Sequence, residues 1–171
     1  MIHVYTGNGK GKTSAALGVA FRAAGSGWNT CIIQFIKGDW KSGELEAAKN
    51  FPSIDIIPAG KGFYKILNDN QSEEDHRRAA LEAIKTIETR IQSGKYSLII
   101  LDEVNVAVSL GLIPTEIIRK IIKNSPQGIH FVLTGRNAPP EFIEIADLVT
   151  EMKEIKHPFN EGQTAQKGLD F

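Results

Sequence analysis

Apolar and β-branched residues gather in short runs at residues 2–5, 30–35, 54–57, 96–101, 129–134 and 148–150, with polar or helical stretches between them. Runs this short read as strands buried on both faces, and their alternation with helical patterns predicts a mainly parallel sheet. A stretch of small residues at 14–24 predicts a first helix. Further along, Ala80, Ile84, Ile87 and Ile91 recur at helical spacing. They lie between a capping signal, Ser72 ahead of Asp75, and a terminating Gly94, which predicts an amphipathic helix laid on the sheet. Ile117, Ile118, Ile121 and Ile122 make the apolar face of another helix, with Pro114 at its first turn and Pro126 and Gly128 beyond its end. Residues 60–71 and 153–171 show no periodicity and receive no element.

Between the first strand and the 14–24 helix stands TGNGKGKT, residues 6–13. Gly7, Gly9 and Gly11 allow the backbone to curl so that successive N–H groups of Thr6, Asn8 and their neighbours turn inward, and the start of the following helix adds its positive field. Lys12 is placed to reach a phosphate, and Thr13 to ligate magnesium. The usual signature opens on glycine; here Thr6 occupies that position and Gly7 comes one residue late. The competing interpretation is a glycine-rich turn with incidental lysines. With strand and helix correctly placed on either side, nucleotide polyphosphate is the better ligand, and the expected fold is a single-domain α/β P-loop NTPase-like fold over residues 1–171, about six strands flanked by helices.

Composition narrows the partners. The chain has 171 residues, 42% of them hydrophobic, and no apolar run of bilayer length. Lys plus Arg and Asp plus Glu both number 20, so no net field argues for nucleic acid or a membrane surface. The start of the chain lacks a leader pattern, and one cysteine, Cys31, permits no internal disulfide, so a cytoplasmic location is expected. Cys31 falls within an apolar run, where an inert buried thiol is the ordinary outcome.

Ligands of open parallel sheets bind beyond the carboxyl ends of the strands, which directs attention to the residues that follow each run. Asp102 and Glu103 end the fourth run, where an acid beside a phosphate loop can hold magnesium directly or through water. Gln34, Lys37, Gly38 and Trp40 follow the second run, and Gly135, Arg136 and Asn137 the fifth. For Lys37 and Arg136, contact with an anion and ordinary surface charge both remain open. Phe63 and Tyr64, after the third run, either stack on a flat ligand or anchor their loop. His3, His76, His130 and His157 show no metal-ligand spacing, and no nucleophilic serine or cysteine–histidine arrangement is present.

Several segments together resemble the ATP:corrinoid adenosyltransferases of the P-loop type: TGNGKGKT, FRAAGSG, QFIKGDW, LDEVNVAVSLGLI, LTGRNAPPEFIEIADLVTEM and the tail KHPFNEGQTAQKGLDF. The likeness runs nearly end to end. It implies transfer of the 5′-deoxyadenosyl group of ATP to Co(I) of a corrinoid, cobalamin or cobyrinic acid a,c-diamide, with tripolyphosphate as the other product. It also implies ATP lying in reverse direction in the loop with C5′ exposed to in-line attack, a homodimer, and an electron donor such as a reduced flavin or flavoprotein. Because Co(I) is itself the nucleophile, no general base is needed. The resemblance leaves Lys10, Lys12, Glu103 or Asp102, and magnesium on Thr13 to stabilise the leaving triphosphate, and adds Arg22 on the first helix as a nucleotide contact.

Two departures from the family pattern bear on the site. Longer members carry a segment ahead of the first strand that covers the nucleotide, whereas Met1 here already stands in the strand, implying a nucleotide that is more open or covered otherwise. The family's Gly-Phe-Thr-Trp loop, whose aromatics displace the lower cobalt ligand, appears as Gly62, Phe63, Tyr64 and Lys65, so Phe63 persists and Tyr64 stands where a substitute would be needed. Two other functions use the same residues: a phosphoryl-transferring ATPase or kinase, and a non-catalytic module that binds nucleotide or corrinoid.

Overall fold

The computed structural model describes residues 1–38, 42–62 and 71–170. Six strands, β1 (Ile2–Thr6), β2 (Thr30–Gln34), β3 (Ile54–Pro58), β4 (Leu98–Asp102), β5 (His130–Thr134) and β6 (Leu148–Glu151), form one sheet in the order β3-β2-β4-β5-β1-β6. Every neighbouring pair is parallel. β2 (TCIIQ) and β4 (LIILD) are buried along their whole length and lie inside the sheet, whereas β6 is exposed along its length and forms an edge. All six expected strands are present, within a residue or two of the predicted limits.

Successive side chains of a strand point to opposite faces, and the core divides accordingly. Cys31, Ile33, Ile99, Leu101, Phe131 and Leu133 pack on one face with helices α3 (Glu73–Gln92), α4 (Val104–Ser109) and α5 (Thr115–Asn124) and with Phe142 of α6 (Pro140–Ile145). Ile32, Leu98, Ile100 and Val132 face the other way, onto Ala16, Ala20 and Ala23 of α1 (Lys12–Gly25). Alanines at that spacing let α1 approach the sheet closely and bring its first turn against the strand ends.

α3 begins as the sequence predicts. The Ser72 side chain accepts the Asp75 N–H at 3.1 Å, and the Asp75 carboxylate accepts the Ser72 N–H at 3.3 Å, a reciprocal cap. α5 departs slightly from expectation: Pro114 is the extended residue just ahead of the helix rather than part of its first turn. α2 (Gly43–Ala48), α4 and α6 were not predicted; each spans six residues, too few to display a hydrophobic period. Within the unassigned tail a 3₁₀ turn forms at Pro158–Glu161. No described helix is long and apolar enough to cross a membrane. Cys31 is buried, and burial pushes its thiol up to about 12, so it is inert as expected.

Candidate active site

The glycines of the 6–13 loop are required by its surroundings. Gly7 turns at φ +95° and Gly11, immediately before α1, at φ +113°, both in the left-handed region. Gly9 donates its N–H to the Met152 carbonyl at 2.7 Å, and a Cβ there would lie 2.7 Å from the Lys153 carbonyl carbon. The chain leaving β6 thus packs directly on the loop, and only glycine fits beneath it. Thr6 explains its own departure from the usual signature: its hydroxyl accepts the Ala138 N–H at 3.1 Å, tying the segment after β5 to the start of the loop.

Lys12 is almost fully buried and donates to the carbonyls of Gly7 (2.8 Å) and Gly9 (2.7 Å), closing the loop into a ring. Burial holds its ammonium below the ordinary lysine range, with Glu103 opposing that shift and Arg136 adding to it. Thr13 donates to Asp102 Oδ1 at 2.9 Å. The acids that end β4 differ sharply. Asp102 is 1% exposed and accepts three side-chain hydrogen bonds: Thr13, the Thr134 hydroxyl at 2.7 Å, and Gln34 Nε2 at 3.2 Å. Glu103 stands in the left-handed region at φ 60° as the residue preceding α4, and its side chain faces the cavity. Burial and the neighbouring Asp102 push its carboxyl above the ordinary range, against the pull of Lys12, Lys37 and Arg136.

That cavity, about 840 Å³, lies at the carboxyl ends of the strands. It collects Asn8, Gly9, Lys10, Gly11, Lys12 and Thr13 of the loop together with Lys37, Glu44, Glu103 and Arg136. Lys37 pairs with Glu44 of α2. Burial acts to raise Glu44, but hydrogen bonds from Lys37, its own N–H and Gln34 outweigh it and leave the carboxyl below the ordinary range. Lys10 pairs with Asp170, because the tail folds back and Gly168, Leu169 and Asp170 form part of the cavity wall.

One expected contact, Arg22, is not brought to this cavity. Arg22 lies in the last turn of α1 and lines a separate cavity of about 270 Å³ at the opposite ends of the strands, with His3, Trp28 and His130. Phe63 and Tyr64 lie outside the described residues, as does Trp40. Conversely, the sequence assigned no site role to Glu44, to Thr134 or to residues 168–170, although the last two lie in segments that carry the family resemblance, and it placed Gln34 only as a loop residue. A signal was nonetheless present, since β1, β2, β4 and β5 each end on a polar residue, Thr6, Gln34, Asp102 and Thr134. Three of these four are essentially unexposed. A polar group closing a fully buried strand needs a partner, and here they partner one another.

The arrangement suits a polyphosphate: among the described residues, loop amides, the cations Lys10, Lys12, Lys37 and Arg136, and the Glu103 carboxyl group surround one cavity. Among the described residues no three His, Cys, Asp or Glu side chains form a metal cluster.

The model of the family described as ATP:corrinoid adenosyltransferase BtuR/CobO/CobP matches residues 1–171. A corrinoid adenosyltransferase from Sinorhizobium is 39% identical, covering 100% of this chain and 80% of its own. One from Pseudomonas aeruginosa is 37% identical over 98% of this chain and 82% of its own, and one from Escherichia coli 33% identical over 100% and 85%.

Proposed function

This chain belongs to the ATP:corrinoid adenosyltransferase family, and from that premise we propose that the large cavity at the strand ends holds ATP for attack by a reduced corrinoid. The enzyme is a transferase that moves the 5′-deoxyadenosyl group of ATP to Co(I) of a corrinoid. Cobalt supplies the electron pair of the new cobalt–carbon bond, and the C5′–oxygen pair departs with tripolyphosphate. No proton is removed in this step, so the loop amides and the cations Lys10, Lys12, Lys37 and Arg136 that line the cavity answer its main demand, the charge of the leaving tripolyphosphate.

The observation that carries this proposal is the convergence of Lys10, Lys12, Thr13, Glu103 and Arg136 on one cavity above the glycine loop. Lys12 exchanges the carbonyls of Gly7 and Gly9 for phosphate oxygens, and Lys10 and Arg136 add charge where the leaving group accumulates it. The Thr13 hydroxyl and the Glu103 carboxylate are hard oxygen donors suited to magnesium, while Asp102, spent on three hydrogen bonds, orients Thr13. Magnesium, when bound, offsets triphosphate charge. Phe63 and Tyr64 are retained as the aromatic contacts of the corrinoid, whereas Arg22 is given no part in holding nucleotide within one subunit. We further place the enzyme in the cytoplasm, as a homodimer supplied with electrons by a reduced flavin or flavoprotein.

Incubation with ATP, magnesium and chemically reduced cobalamin is expected to give the adenosylcobalamin spectrum and tripolyphosphate in equal amounts. Orthophosphate alone, with no spectral change, would overturn the proposal in favour of a phosphoryl-transferring enzyme. Tight ATP binding with neither product would instead indicate a binding module.

A further inference from the structure

Thr134 closes β5 with a side chain that is completely buried. A hydroxyl has one proton to donate and lone pairs to accept with. Thr134 donates to Asp102 Oδ1 at 2.7 Å and accepts the Glu103 N–H at 2.9 Å. Both bonds go to the two acids that end β4, and the hydroxyl is absent from the cavity wall.

The second bond matters because of what Glu103 does with its backbone. At φ 60° and ψ 19° it occupies a left-handed conformation that Cβ–carbonyl crowding disfavours for any residue but glycine. This bend turns the chain from β4 into α4. It also sends the Glu103 side chain into the cavity while Asp102, one residue earlier, stays beneath the loop. The N–H of Glu103 would otherwise be an orphan at the start of a helix with no side-chain cap. The seat is tight on its other side too: at Gly135, φ +128°, a Cβ would come within 3.1 Å of Glu103 Oε2 and 3.0 Å of the Val106 N–H nitrogen.

We propose that Thr134 is a positioning residue of the reaction, its one hydroxyl locking Asp102 beneath Thr13 and holding the left-handed backbone of Glu103 so that the Glu103 carboxylate faces the bound nucleotide and its metal. The inference rests on the preceding assignment of Glu103 and Thr13 to magnesium-bound ATP. Thr134 touches neither ligand and acts through both acids at once.

Thr134→Val keeps the shape and removes the hydroxyl, and Thr134→Ser restores it. ATP affinity is measured by calorimetry with and without magnesium. In the wild type, magnesium is expected to tighten ATP binding; if it does not, the magnesium assignment fails and with it the basis of this inference. Given that enhancement, Thr134→Val is expected to reduce it about tenfold, to leave metal-free ATP affinity within about twofold, and to lower kcat more than it raises KM for ATP. Thr134→Ser is expected to recover the enhancement to within about twofold. The inference is overturned if Thr134→Val keeps the wild-type enhancement, if it weakens metal-free binding equally, or if the serine variant recovers nothing. Should Thr134→Val fail to fold, Thr134→Cys, which retains the volume with a much weaker donor, reads the same ratio.

Discussion

The two ends of the sheet are built from the same strands and differ in almost everything else. At the carboxyl ends, buried polar residues close β2, β4 and β5, glycines turn the chain, and α1 presents its first turn, leaving a cavity of about 840 Å³ ringed with charge. At the amino ends, a cavity of about 270 Å³ is lined by Val19, Leu98 and Val132, and Trp28 lies flat on His130 with ring centres 4.9 Å apart. Burial lowers the His130 imidazole below its ordinary range, with the neighbouring amino terminus and His3 acting in the same direction. One end holds charges that no apolar packing rewards and is organised for a charged ligand. The other is closed by aromatic and apolar contact.

Substitutions at the two ends should therefore separate binding from stability. The largest effect is expected for Lys12→Ala: loss of a charge-assisted contact worth roughly 1.5–3 kcal/mol lowers ATP affinity and adenosylation by more than an order of magnitude. Calorimetry and the cobalamin spectrum read both, and an unchanged rate would mean that the phosphate loop is not the site.

Next comes Trp28→Ala at the opposite end, which removes the stack on His130 and the cover over the smaller cavity. A loss of about 1–2 kcal/mol corresponds to a fall in melting temperature of roughly 2–8 °C for a domain of this size, with ATP affinity unchanged. A large drop in affinity without a drop in melting temperature would break the division between the two ends.

A paired test sharpens it. Arg136→Ala is expected to weaken ATP several-fold, most at low ionic strength where an exposed cation is least screened, whereas Arg22→Ala leaves affinity within about twofold. Equal losses from both would bring Arg22 back to the nucleotide.

The smallest effect concerns pH. Glu103 has its carboxyl raised in the fold, so its charged form is disfavoured there, and folding is penalised once the group ionises. Below the ordinary carboxylate range the group is protonated in both folded and unfolded chains and contributes nothing; as pH rises through that range and then through the raised folded value, the penalty develops fully. Glu103→Gln should accordingly raise the melting temperature of the ligand-free protein near neutral pH by a few degrees at most, about 2–4 °C per kcal/mol, with the gain vanishing in acid. A melting curve at several pH values reads it, and a gain that grows toward acid would contradict the sign.

How much of this was legible in advance varies with the range of the forces involved. Strands and the α1, α3 and α5 helices are written in short-range periodicity and in caps such as Ser72 with Asp75, and these appeared where expected. The six-residue helices α2, α4 and α6 were not, because they owe their existence to neighbours more than to their own pattern. TGNGKGKT with Asp102 and Glu103 pointed to the strand ends where the large cavity lies, yet could not tell the two acids apart. Only the packing of β5 beside β4, which brings Thr134 to both, makes Asp102 a buried brace and turns Glu103 outward.

By itself the chain's order of residues determined the parallel α/β plan, the glycine-rich loop and the family, since alternation, glycine placement and the long motif matches are local properties of the sequence. The tertiary structure decided the partners: that Thr6 serves Ala138, that Gly9 is compelled by Lys153, that Lys10 meets Asp170 and that Arg22 faces the other end of the sheet. Those contacts join residues far apart along the chain. Their geometry depends on strand order and on how closely backbones approach, neither of which any short window of sequence contains.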